Sequence, residues 1–182
     1  MVKAHTQDCP VAAMLNLFGD HWTWLIIRES FYGVTRFSEF RRNTGIAKNL
    51  LSARLAFLVG NGVFEKRNIS RSGTRYEYRL TPKGRSLAPV FIAMSQWGNQ
   101  HIFGPGNETI EIVERSTGDP VEPCGIVGAR GNQLALDQLV VKPGPGAGPA
   151  TRKRLAKVLL AQQTSSANGK SQRGETRHDV KN

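Results

Sequence analysis

The sequence predicts a mainly α-helical fold with a small β-hairpin wing, a winged helix-turn-helix, followed by a small β-rich C-terminal extension and a disordered basic tail. Three observations lead there. Two short helical patterns flank the turn Thr44-Gly45-Ile46, two basic alternating stretches follow with Ser70-Arg71-Ser72-Gly73-Thr74 between them, and Thr81-Pro82 then opens a capped helix. A helix pair followed by a charged hairpin is the layout that sets one helix in the major groove of DNA and a β-ribbon beside it.

The elements follow in order. Pro10 suits a helix start, where its missing N–H costs nothing, and Val11, Met14, Leu15 and Phe18 share one face of a helix from Pro10 to Leu17. Gly19 ends it. Asp20 is a good N-cap for a second helix through Tyr32, which Trp22, Leu25, Ile26 and Phe31 make mostly buried and Gly33 closes. A short third helix covers about 36–43, with Phe37 and Phe40 inward and Arg41 and Arg42 outward. The fourth runs over about 47–59. Its core stripe is Leu51, Leu55 and Leu58, and its open face shows Lys48, Asn49, Ser52, Ala53 and Ala56. Strands are expected over 64–69 and 75–80. The helix opened by Thr81-Pro82 should continue through Leu87, Val90, Phe91, Met94 and Trp97 to about His101. That stripe is richer in large apolar residues than a small domain can cover, so a dimer seam is expected there. Gly104-Pro105-Gly106-Asn107 marks a boundary. Beyond it 109–114 alternates as a strand, 118–120 turns it, and 125–127 and 139–141 are candidates to complete a small sheet. Residues 143–149 read as a Pro/Gly linker, 151–163 as an amphipathic basic helix and 164–182 as disordered. The expected divisions are therefore 1–107, 108–142 and 143–182.

Charge is unevenly spread along the 182 residues. Residues 1–107 hold fourteen Lys and Arg against six Asp and Glu, residues 108–142 three against six, and residues 143–182 eight against two. A basic front and tail around an acidic insert suit a polyanionic partner, because neutralised phosphates release condensed counterions. Two cysteines, Cys9 and Cys124, indicate no disulfide framework. The first residues show no basic stretch followed by an apolar one, and no apolar run is long enough to cross a bilayer, so no secretory signal, a cytoplasmic protein and no membrane partner are expected. His5, His21, His101 and His178 lack metal-ligand spacing with either cysteine, so neither metal nor cofactor is expected. No oxyanion motif, Gly-rich phosphate loop or acid pair points to an enzyme.

The DNA-facing residues follow from the layout. Lys48, Asn49 and Ser52 are expected to touch bases, since Lys favours guanine acceptors and Asn pairs with adenine. Arg41, Arg42 and Arg54 are placed to grip phosphates, with an intramolecular ion pair the equal alternative for Arg54. Arg71 and Arg75, near the wing tip, fit a narrowed minor groove. Trp22, Trp24, Phe37, Phe40 and Trp97 belong to the core or the seam. Cys9, just before a helix start, gains acidity from the helix dipole. The leading expectation is a sequence-specific transcriptional regulator; the alternative is a sequence-tolerant, architectural nucleic-acid-binding protein.

Ordered motifs over about residues 8–103 add a family. Cys9-Pro10-Val11, Gly19-Asp20-His21-Trp22-Thr23, Arg28, Arg36-Phe37-Ser38-Glu39-Phe40, Leu51-Ser52-Ala53-Arg54-Leu55, Tyr76-Glu77-Tyr78 and Leu80-Thr81-Pro82-Lys83-Gly84 resemble the HxlR-type regulators, winged-helix transcription factors similar in shape to the MarR group. The resemblance implies double-stranded DNA as partner, a near-palindromic operator, and a homodimer built from the first and last helices of the domain. The interface residues would be Met14, Phe91, Met94 and Trp97. It further implies a reading helix at 47–59, a wing at 64–80 and, for Cys9, the redox or electrophile sensing served by its counterpart in some members. A small-molecule or electrophile effector would act through the seam. The family often opens its reading helix with Ser-Pro-Lys. Here Ala47-Lys48-Asn49 lacks the cap and the proline, so base preference should differ. Some longer members resemble this one in a Pro-Gly-Pro-Gly-Ala extension with zinc-ribbon cysteine pairs. Only Cys124 remains here, and metal binding is not carried over.

Overall fold

In the computed structural model the described residues are 5–160, so the end of the helix expected over 151–163, the reading of 164–182 and His178 lie outside them. The chain forms two compact units: Phe18–Cys124, and residues 1–17 with 125–182, of which 5–17 and 125–160 are described.

The first unit is built by helices α2 (His21–Phe31), α3 (Phe37–Thr44) and α4 (Lys48–Gly60), strands β1 (Phe64–Asn68) and β2 (Tyr76–Leu80), and helices α5 (Pro82–Arg85) and α6 (Ala88–Gly98); α1 (Pro10–Phe18) precedes them. Local chemistry sets the ends. Asp20 caps α2, one carboxylate oxygen accepting the Thr23 N–H at 3.1 Å while the Thr23 hydroxyl donates to the other. The Glu39 carboxylate reaches back to the Arg36 N–H at 3.3 Å and closes the first turn of α3. Gly45, at φ +72°, ends α3 in the left-handed region where a side chain would be strained, and its N–H returns to the Arg41 carbonyl.

The core lies where α2, α3, α4 and β1 converge. Ile26, Ile27, Phe40, Ile46, Leu51, Leu55, Leu58, Val63 and Phe64 are each at most 1% exposed. Burial of each such side chain is worth about 1.5–3 kcal/mol before the entropy of ordering it is charged. Phe40 meets Phe64 edge to face at 6.3 Å, joining α3 to the wing. The wing is antiparallel from Phe64 opposite Leu80 to Asn68 opposite Tyr76. On its other side the Tyr78 N–H donates to the Thr35 carbonyl at 2.9 Å, tying β2 to the loop before α3.

The single helix expected from Thr81 to His101 is broken. Pro89 has no N–H for the Arg85 carbonyl, and its ring would clash with that carbonyl in a continuous helix. The Leu87 N–H turns tightly to the Gly84 carbonyl at 3.2 Å, and α6 restarts with Phe91 on Leu87 at 3.0 Å. A π-turn, Asn99–Phe103, then closes with the Gly104 N–H on the Asn99 carbonyl. The strand expected over 109–114 is absent too; Val113 and Pro120 form an isolated bridge. Around it the Val121 N–H donates to the Ile112 carbonyl at 2.9 Å and the Glu114 N–H to the Asp119 carbonyl at 2.8 Å, and side chains of α6 and the π-turn hold the stretch from the other side. The Gln96 amide donates to the Val121 and Glu122 carbonyls and accepts the Cys124 N–H at 2.7 Å, and Asn99 donates to the Ile110 carbonyl at 2.8 Å.

In the second unit, β3 (Ile126–Val127) pairs with β4 (Gln133–Leu134). Residues 139–141, the other candidate to complete a small sheet, form no strand. The turn through Gly128 and Gly131, with Gly128 N–H on the Asn132 carbonyl at 2.8 Å, brings the nearer segment round first. Helix α7 covers residues 149–160. Its start is held from far away in sequence: the Gly148 N–H donates to the Asp8 carboxylate at 2.7 Å, and the Thr151 hydroxyl to the Asp8 carbonyl at 3.0 Å.

Gly84 is the tightest point between wing and α5, since a Cβ there would stand 2.2 Å from the Val63 carbonyl oxygen and 2.8 Å from Leu80 Cδ2. Gly84→Ala should therefore lower the urea-unfolding midpoint by the equivalent of about 1–3 kcal/mol. Gly60→Ala, with nothing within 4 Å of the new methyl, should be neutral or stabilising. Equal midpoints for the two variants would contradict the packing described.

Candidate nucleic-acid interface

The turn Thr44-Gly45-Ile46 fixes the angle between α3 and α4. Its outer end is free to solvent while Ile46, 1% exposed, drops into the core and the Thr44 hydroxyl donates back to the Phe40 carbonyl at 2.7 Å. The leucine stripe of α4 is fully buried, so the opposite face stands out. Lys48, Asn49 and Ser52 are all exposed within its first turn and a half. Ala47 supplies no side-chain cap, as the sequence implies, and the first amides of α4 keep their partial positive charge. A helix start of this kind favours an anion next to it.

Arg41 and Arg42 are exposed on the last turn of α3, with the Arg42 Nε 3.4 Å from the Asn43 side-chain oxygen. Asn43 in turn donates to the buried Glu29 carboxylate at 2.8 Å, whose other oxygen pairs with Arg28 at 2.7 Å. That chain pins α3 to α2. Arg54 is engaged within the protein: its Nε lies 3.4 Å from the Asp20 carboxylate without hydrogen-bond geometry, so the pair is coulombic and ties α4 to the start of α2.

The wing sorts its cations. Arg67 pairs with Glu65 at 2.6 Å, while Arg36 and Arg79 converge on the buried Glu77 at 3.1 and 2.9 Å. Lys66 sits 3.8 Å over the ring of Tyr76. Arg71 and Arg75 remain exposed at the tip, outside every ion pair among the described residues. The tip itself is ordered by Asn68, whose side-chain oxygen accepts the Ser70 and Arg75 N–H groups and whose amide donates to the Gly73 carbonyl. Sequence reasoning missed Asn68 and Glu77. Asn just before a Ser/Gly-rich turn is a recognisable Asx-turn signal, whereas nothing local marks Glu77 as buried.

The expected seam residues are only partly free. Met94 and Trp97 are 49% and 60% exposed on one face of α6 with Val90, and Ile102 and Phe103 extend the apolar surface. Phe91 is half-buried and stacks on Phe31 at 5.1 Å. Met14 is half-buried on α1, whose exposed apolar residues are Val11 and Leu15. Cys9, half-buried, caps the same helix: its thiol is held below the usual value by the Ala12 and Val11 N–H groups, with the Arg154 guanidinium adding to them against the effect of desolvation. Among the described residues no three His, Cys, Asp or Glu side chains gather in a way that could hold a metal, and no helix is long and apolar enough to cross a membrane.

Comparisons with known proteins give the family. Residues 17–104 match the HxlR-like helix-turn-helix family model. The HTH-type transcriptional regulator Rv3095 of Mycobacterium tuberculosis, itself uncharacterized, is 37% identical over 136 residues, covering 75% of this chain and 86% of the relative. The crystal structure of PA1607, described as a candidate transcription factor, superposes with a TM-score of 0.71 at 42% identity, covering 76% of this chain and 97% of that one. PA1374 from Pseudomonas aeruginosa, described in the same terms, gives 0.58 at 37% identity over 80% and 99%. Matched over residues 17–104 and over most of a relative's length, the chain belongs to the HxlR-like helix-turn-helix family of transcriptional regulators.

Proposed function

We propose that this protein binds a near-palindromic operator as a homodimer in the cytoplasm, regulates transcription from it, and has no enzymatic activity of its own. The observation that supports the reading is the two-sided character of α4: a fully buried leucine stripe beneath an exposed turn of Lys48, Asn49 and Ser52. A rigid helix with a small, polar, solvent-facing end can enter a major groove and present donors to base edges. Arg41 and Arg42 would grip phosphates beside it, and Arg71 and Arg75 the minor groove under the wing. Arg54 would serve by fixing α4 to Asp20. Met14, Phe91, Met94 and Trp97 would contribute to the seam. Two copies would then set their reading helices about 34 Å apart, one turn of duplex.

Selection of bound sites from a random duplex library, followed by sedimentation of the complex, tests this directly. A palindromic consensus occupied by two chains is expected. Little difference between selected and scrambled duplexes would favour an architectural protein instead. On the selected site, Asn49→Ala should cost about 1–3 kcal/mol and relax preference at one base position per half-site. Arg41→Ala should weaken all sequences alike.

A second reading concerns control. The thiol of Cys9, stabilised as thiolate by two helix N–H groups and Arg154, is suited to an electrophile effector. In a Cys124→Ser background, addition of Cys9 to N-ethylmaleimide should reach half its maximal rate at a pH below that of a free cysteine, about 8.5. The folded state favours the deprotonated form, so this contribution to stability is present at high pH and is lost as pH falls through the lowered value. Alkylation should lower operator affinity; unchanged affinity rejects sensing.

A further inference from the structure

Helix α7 carries none of the residues assigned to the reading helix, the wing or the seam. Its residues alternate by face. Thr151, Leu155 and Leu159 are half-buried at four-residue spacing, whereas Arg152, Lys153, Arg154 and Lys157 are exposed. No acidic residue occurs between 143 and 174. Among the described residues the ion pairs all lie within positions 20–79, so none neutralises this face. Two of the four cations have other tasks: Arg152 donates to the Ala147 and Pro145 carbonyls at 2.9 and 3.2 Å, and Arg154 approaches the Cys9 thiol. Lys153 and Lys157 lie one helical turn apart and face water.

The helix is also held in place. Asp8 receives the Gly148 N–H and the Thr151 hydroxyl, 140 and 143 residues away in sequence, so the cations are carried on an anchored element rather than a loose tether. A ready-ordered row of like charges spends little entropy on meeting a polyanion. Four further cations, Lys170, Arg173, Arg177 and Lys181, follow in the sequence against Glu175 and Asp179.

We propose that the outer face of α7, with Lys153 and Lys157 as its principal contacts and Arg154 beside them, binds duplex DNA phosphates as a second, sequence-independent grip. This inference rests on the proposed operator binding, because α4 bound to the duplex raises the local phosphate concentration that α7 meets. The grip contributes affinity and salt dependence and carries no base information. Its partner is recognised by charge density alone.

The test compares wild type with Lys153→Gln/Lys157→Gln in the full chain, titrating selected and scrambled duplexes across 50–200 mM salt. Arg154 is retained in the first variant so that its contact with Cys9 is undisturbed, and thermal unfolding checks that the unit still folds. Each phosphate that the variant leaves unneutralised should reduce the slope of log affinity against log salt by about 0.9, roughly 3–4 for the four lysines of a dimer. Affinity for both duplexes should fall by on the order of ten-fold or more, with the ratio between them kept within about two-fold. An unchanged slope overturns the proposal while leaving operator binding intact. Failure of the wild type to discriminate selected from scrambled duplex would instead overturn the operator reading. If the variant alters self-association with no change in the DNA slope, α7 serves the acidic stretch of a second copy, and the proposal is likewise overturned.

Discussion

The first unit depends on the burial of one stripe. Leu51, Leu55 and Leu58 recur at four and three residues along α4, and all three are removed from water together with Ile46, Phe40 and Phe64. No polar atom competes in that stripe, so the rotation of α4 about its axis is set by apolar packing, and a rotation by one position would expose a leucine worth about 1.5–3 kcal/mol. Everything that faces outward from α4 inherits its direction from this constraint. Specificity in a helix-turn-helix depends on which side chains stand at the groove, and here the core decides that before any DNA contact is made.

Electrostatics complete the sorting. The unit contains more cations than carboxylates, yet its acids are not spread evenly among them. Asp20, Glu29, Glu65 and Glu77 each take a basic partner close to the scaffold, at the start of α2, beneath α3 and along the wing. Pairs such as Arg36 and Arg79 on Glu77 join elements where a buried lone carboxylate would be costly. Of the cations outside these pairs, Lys66 lies over Tyr76 and Lys83 and Arg85 donate to backbone carbonyls, while Arg41, Arg42, Lys48, Arg71 and Arg75 are exposed at the α3 end, the α4 start and the hairpin tip. Part of the surplus charge thus stands at protruding positions that a phosphate backbone could meet.

Much of this was legible in the sequence, and the failures have physical causes. The helices α2 to α4 and the hairpin declare themselves through apolar period, Asp20, Gly45 and the Gly-containing tip, each a local signal for a local structure. The exposed face of α4 was legible because it is the complement of the leucine stripe. Residues 81–103 misled because the apolar spacing runs straight through Pro89, and periodicity carried the expectation past a residue that breaks the hydrogen-bond ladder. Residues 109–114 misled because the chain turns back at Gly118 and leaves only an isolated bridge; the Val121 N–H on the Ile112 carbonyl and the Asn99 amide on the Ile110 carbonyl satisfy that backbone without a regular ladder. Glu77 and the pairing of Arg54 with Asp20 depend on contacts between distant segments, which no window of sequence displays. On α1 the apolar face read from the spacing is split, with Phe18 and Ala12 buried and Val11 and Leu15 exposed.

The Asp8 contacts carry a consequence for biosynthesis. Asp8 leaves the ribosome 140 residues before Gly148, so the hydrogen bond between them cannot close until nearly all of the described chain has been translated. Residues 18–124 complete their own framework earlier and without that closure. The amino-terminal segment must therefore wait as an unfinished piece while the reading head matures, and the long loop it finally seals is the slowest kind of contact to find by diffusion. A fusion or truncation that shields Asp8 would remove both hydrogen bonds that hold the start of α7, although the reading head had already formed.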